Sequence, residues 1–215
     1  MNTEILSDDI LKSAFHKFIK REKNEDVLKR YLWYPHSAEK WFQLEFLYAL
    51  DSFLPKYYHV AAEKNYTDLL IYQLSGIDQN LYDVVDKNES KAIQAIIELK
   101  FIGNWWLRDS IFKGNGSISI GKDIKKVDDL TDKPGVVLIF AIVAIPTSQN
   151  KMCQWINKQI KECCGVDSSE QLLEKMKTKC NSKIYLIANE PGNSNGEFKT
   201  LEYCLYGYRN QAAIE

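Results

Sequence analysis

The chain has 215 residues, 45% of them hydrophobic and 27% charged, the profile of a soluble globular protein able to bury a real core. The formal net charge of -1 gives no global electrostatic signature of nucleic-acid binding, which leaves only local patches for that task. The longest apolar run, residues 135 to 145, is about half the ~20 residues a membrane helix needs, and the amino terminus lacks a signal-like apolar stretch, so a cytoplasmic protein is expected.

Ser7 is placed to cap a helix over residues 8 to 22, in which Ile10, Leu11, Ala14, Phe15, Phe18 and Ile19 recur at helical spacing. A shorter helix is predicted over 25 to 33. Ser37 caps a third, to about residue 52, whose Trp41, Phe42, Leu44, Phe46, Leu47, Tyr48 and Leu50 lie almost all round it and require burial. Strand-like runs follow at 57 to 62, 68 to 74 and 92 to 102, with a polar connection from 75 to 91 between the last two. A glycine-containing loop leads to a helix over 122 to 130, striped by Ile124, Val127 and Leu130, and then to a fully buried strand at 135 to 145. Beyond Pro146, helices at 148 to 164 and 168 to 179 precede strands at 183 to 188 and 198 to 207, which are placed to extend the sheet. The order helix, three strands, helix, strand fits an α/β fold with a mixed central sheet flanked by helices. Residues 1–36 read as a helical extension, 37–146 as the core, and 147–215 as added helices and strands of a single domain.

All five cysteines lie after residue 152, with Cys163 and Cys164 adjacent and no CxxC spacing, which reads as reduced thiols. A metal site built from Cys153, Cys163, Cys164 and Cys180 is the alternative.

The segment AIIELKFI puts Glu98 and Lys100 on one face of a strand and Leu99 on the other. Chance supplies about four acid-x-base triplets in a chain of this composition. This one differs because its charges interrupt an apolar strand, where an unpaired charge is costly to bury. Asp68 begins the run DLLIY, and antiparallel pairing through the 75 to 91 connection sets the start of that strand beside the end of AIIELKFI. Two converging carboxylates repel unless a cation lies between them, and Mg²⁺ favours one or two carboxylates completed by water and substrate phosphate. A salt bridge of Asp68 with Lys100, with Glu98 paired elsewhere, is the competing interpretation.

With its Asp at the start of one strand and ExK on the next, the core resembles the PD-(D/E)xK nuclease superfamily, which includes many restriction endonucleases. The resemblance covers about half the chain and implies a restriction-endonuclease-like fold. It implies that Asp68 and Glu98, with the backbone carbonyl of Leu99, hold Mg²⁺ or Mn²⁺, and that Lys100 orients or activates the attacking water and stabilises developing charge. Such enzymes often carry a metal-proximal glutamate on the preceding helix, the place Glu45 fills. Thr67 stands where the motif's proline would be, and Asp78, Asp83 and Asp86 are alternative partners for Glu98. The activity implied is metal-dependent hydrolysis of DNA, as in defence against foreign DNA, by an enzyme that pairs as a homodimer; a catalytically silent binding module on the same fold is the rival.

Lys113, Lys122, Lys125 and Lys126 form a basic cluster after the motif, suited to the phosphate backbone or to a solvated face. Trp105 and Trp106 suit base stacking, although packing at the end of a core strand is the commoner use. GSISIGKD matches GxxxxGK but places Asp123 where a hydroxyl should hold Mg²⁺, so Gly114, Gly116 and Gly121 read as turn formers.

Overall fold

In the computed structural model, which describes residues 3–21, 35–64, 67–74, 92–112, 119–130, 132–163, 165–193 and 196–210, the strands are β1 (Tyr58–Lys64), β2 (Thr67–Gln73), β3 (Ile93–Gly103), β4 (Gly135–Pro146), β5 (Tyr185–Pro191) and β6 (Phe198–Arg209). They form one six-stranded mixed sheet in the order β1-β2-β3-β4-β6-β5. β3 and β4 run parallel and every other neighbouring pair is antiparallel. The helices are α1 (Asp8–Arg21), α2 (Pro35–Asp51), α3 (Ile120–Asp128), α4 (Lys151–Cys163) and α5 (Ser169–Cys180), with short helical turns at Thr3–Leu6, Asn104–Trp106 and Asp109–Phe112. The helix expected at 25 to 33 lies outside the described residues, as does the 75 to 91 connection. No helix among the described residues is long and apolar enough to cross a membrane.

The strand alternation decides the layers. Leu69, Ile71, Ile97, Leu99, Phe101, Leu138 and Phe140 face α1, α2 and α4. Phe140 is the centre of that layer, with ring centroids 4.8 Å from Phe42, 5.4 Å from Phe101 and 5.5 Å from Phe18. On the opposite face Ile102, Val137, Ile139, Ala141 and Tyr206 pack with Ile120, Ile124 and Val127 of α3 and Leu172 and Met176 of α5.

Local chemistry moves several expected boundaries. Ser7 caps α1 as expected, its Oγ accepting from Ile10 N at 3.4 Å. α2 starts at Pro35, whose missing N–H and fixed φ suit a first helical turn, and not at a Ser37 cap. Tyr57 has φ 77°, so β1 begins one residue later than expected. Ser119 accepts from Lys122 N and starts α3 at Ile120, which puts Gly121 inside a helix and not in a turn. Gly114 and Gly116 lie outside the described residues. Asn150 Oδ1 accepts from Cys153 N at 2.8 Å, which moves the start of α4 from 148 to Lys151.

Where β3 ends, Asn104 carries its hydrogen bonding onward. Fully buried, it donates to Ala144 O at 3.1 Å and Val166 O at 3.0 Å and accepts from Ala144 N at 3.1 Å. Asn104→Ala strands those buried backbone groups, and chemical denaturation is expected to show a loss of about 3 kcal/mol. A change within ~0.5 kcal/mol would show that the side chain is not the tie between these segments.

Candidate active site

The β2–β3 register pairs Leu69 with Ile97, so the next residue pair along sets Asp68 opposite Glu98 on the same face of the sheet. Lys100 follows on that face. The apolar surface there divides into the cluster of Leu70, Tyr72 and Leu74 with Ile96, and the cluster beginning at Ile102; Glu98 and Lys100 occupy the interval between them. β2 starts at Thr67 while β3 runs on to Gly103, so the far end of β3 lacks a β2 neighbour. Leu99 N–H therefore donates to the side chain of Asp68, at 2.7 Å from Oδ2. The carbonyl of a strand residue leaves by the same edge as its N–H, which sets Leu99 O toward the same opening.

α2 closes this end from the opposite layer. Gln43 Nε2 donates to Asp68 O at 2.6 Å, and Glu39, one turn earlier, reaches Lys100 Nζ at 3.2 Å. From above the site face, Asp123 of α3 lies 3.2 Å from the same ammonium, and Lys126 lies 2.5 Å from Glu98 Oε1. Both contacts from α3 are ion pairs to carboxylate oxygens that are otherwise buried, Glu98 Oε1 and Asp123 Oδ2.

Burial decides the protonation behaviour of these groups. It pushes Glu98 from 4.5 up to about 7, helped by the negative charges of Asp68 and Asp123 and opposed by Lys126. Burial likewise raises Glu39 and Asp123 above the ordinary carboxylate range, with Lys100 opposing it in both. For Lys100 burial works the other way, but Asp123 and Glu39 outweigh it and hold the ammonium above its ordinary 10.5. Lys100 keeps its proton, while Glu98 titrates near neutrality.

Asp68, Glu98, Leu99 and Lys100 are thus brought together, with Glu98 and Lys100 buried; the part-exposed Asp68, Glu39 and Lys126 are the outward members. Glu45 is not among them. It lies about 200° round the helix from Gln43 and pairs with Arg21 of α1 at 3.1 Å. The α2 glutamate that reaches the cluster is Glu39, through Lys100. Lys100 pairs with Glu39 and Asp123 and not with Asp68, while Glu98 is paired elsewhere, with Lys126.

Lys122 and Lys125 are exposed on α3, Lys126 faces Glu98, and Lys113 lies outside the described residues, as do Asp78, Asp83 and Asp86. Trp105 is a core residue, its ring so close over Gly103 that a Cβ there would lie 2.5 Å from it. Cys153, Cys180 and Cys204 are free thiols. Cys153 packs on the α1 face of the sheet and Cys180 on the α3 face, so the two cannot share a metal; the side chain of Cys163 and all of Cys164 lie outside the described residues.

Among the described residues no three His, Cys, Asp or Glu side chains converge as a metal cage. A smaller donor set fits a hard divalent ion: the facing carboxylates of Asp68 and Glu98 beside the Leu99 carbonyl, with water and phosphate to complete the shell. No protein-family model, no curated protein and no solved structure matches the chain.

Proposed function

We propose that this chain is a metal-dependent deoxyribonuclease of the restriction-endonuclease-like, PD-(D/E)xK kind, cutting DNA phosphodiester bonds internally. The observation that carries the reading is the meeting of Asp68, Glu98 and Lys100 on one face of the sheet, at the end of β3 that β2 leaves open. Asp68, Glu98 and the carbonyl of Leu99 would hold Mg²⁺, or Mn²⁺ in its place. When bound, the ion supplies Lewis-acid polarisation of the phosphate and lowers the pKa of the attacking water.

The chain's own groups do the rest. Leu99 N–H fixes the Asp68 carboxylate in place, and the Gln43 bond to Asp68 O holds the strand end. Glu39 and Asp123 grip Lys100 from two helices, so its ammonium is aimed and stays charged. A fixed positive charge offsets negative charge developing on the phosphate without reorganisation during the reaction. Because Lys100 keeps its proton, it acts by orienting water and stabilising charge, not as the base. The exposed Lys122 and Lys125 supply positive charge beside the site for the DNA backbone. A homodimer would let two such sites cut both strands, and defence against foreign DNA is the role the resemblance favours.

The double grip on Lys100 also favours a second reading, a structural ionic network in a catalytically silent module that binds nucleic acid or protein. Incubating the purified protein with plasmid, linear and single-stranded DNA, in Mg²⁺, Mn²⁺ or chelator, separates the two. Cleavage of DNA that chelator abolishes is expected. Intact substrates throughout, RNA included, would leave the structural network standing.

A further inference from the structure

Lys126 is the one cation of α3 aimed at a carboxylate of the proposed metal pair. Its Nζ lies 2.5 Å from Glu98 Oε1, and the two side chains differ sharply in exposure: Glu98 is 5% exposed, Lys126 36%. Glu98 is fixed on β3 between β2 and β4. Lys126 extends from a helix surface, and a long lysine stem lets the ammonium move to water while its methylenes stay packed. Glu98 Oε1 is buried, and the ammonium of Lys126 lies against that same oxygen. An ammonium and a divalent ion on the same carboxylate oxygen repel, so whichever binds there displaces the other.

We infer that Lys126 is the resident counter-ion of Glu98 in the metal-free protein, that a divalent cation displaces it, and that the released ammonium then takes a phosphate oxygen of the nucleic-acid substrate. This rests on the metal-dependent reading above. Under it Lys126 serves both states: it neutralises a buried carboxylate before the ion arrives and adds a phosphate contact afterwards. Lys125, on the exposed side of the same helical turn, carries the same charge without that contact, and is the natural control.

The test measures Mn²⁺ binding by titration calorimetry, and binding of a short DNA duplex with Ca²⁺ present, for wild type, Lys126→Met, Lys126→Gln and Lys125→Met. Removal of a competing cation is expected to tighten Mn²⁺ binding about tenfold in both Lys126 variants, against about twofold at most for Lys125→Met. Duplex affinity should fall several-fold further in the Lys126 variants than in Lys125→Met. Two variants at one position keep the result clear of a folding defect in either, with melting curves as the check. Equal Mn²⁺ affinity in the Lys126 and Lys125 variants, or undiminished duplex binding, overturns the inference while leaving the metal reading intact. Absence of Mn²⁺ binding in wild type and in every variant is different: it removes the metal reading itself, and this inference with it.

Discussion

Asp68→Asn is expected to lower Mg²⁺-dependent cleavage about a thousandfold or more while leaving the melting temperature nearly unchanged. The separation of the two effects follows from what Asp68 touches. Among the described residues its side-chain contact is the Leu99 N–H, and the carbonyl oxygen of Asn accepts that bond with the same geometry. Only the charge is lost, and metal affinity depends on the charge. Lys100→Met should match it in lost cleavage but not in stability. Taking away the ammonium strands Glu39 and Asp123, two carboxyls that burial already disfavours as anions, and about 3 kcal/mol of stability should go with it. Cleavage rates and melts on both variants decide the matter. Asp68→Asn that cuts at the wild-type rate would remove Asp68 from the reacting centre.

What the sequence made legible about this site was strand chemistry. A charged pair inside an apolar strand has to share a face and find partners, and an Asp at the start of the preceding strand is brought opposite by antiparallel pairing. The helical contributions were harder to read. α2 is apolar almost all round in sequence, so no stripe sets its rotational phase; Leu44 and Tyr48, expected to be buried, are each 59% exposed, and Glu39 and Gln43, not Glu45, share the face that reaches the site. On α3 the signal was present. Ile120, Ile124 and Val127 define the buried stripe, and Asp123 and Lys126 border it at i, i+3 spacing. In the sequence alone Asp123 bears only on the phosphate-loop pattern, as the carboxylate that follows GxxxxGK. The right-handed crossover from β3 to the parallel β4 fixes which face α3 covers, and it lays Asp123 and Lys126 over Glu98 and Lys100. The start of α3 at Ser119 was hidden because GSISIG reads as a turn until the serine is taken as a cap.

Glu98 should also make the metal-free protein more stable as the solution is acidified from about pH 8 toward pH 5. Its carboxyl is raised to about 7 in the folded chain against 4.5 for the free side chain. Between those values the folded protein holds a proton that the unfolded chain has released, so stability rises as pH falls through 7 and the gain is complete near 4.5. The difference corresponds to about 3 kcal/mol at most. Glu39 and Asp123, raised by burial, add to the same trend, while Lys100 stays charged throughout the interval and contributes no slope. Glu98→Gln removes the buried anion. It frees Lys126, already a third exposed, to reach water, so at pH 8 in chelator the variant should melt at or above wild type and show a flatter pH profile. Mg²⁺ should flatten the wild-type profile as well, because it binds the ionised carboxylate and opposes its protonation. A wild type that instead loses stability in chelator between pH 8 and pH 5, with Glu98→Gln melting well below it at pH 8, would mean that Glu98 is held as a stabilising anion by Lys126, and the ion pair would then be the purpose of the site.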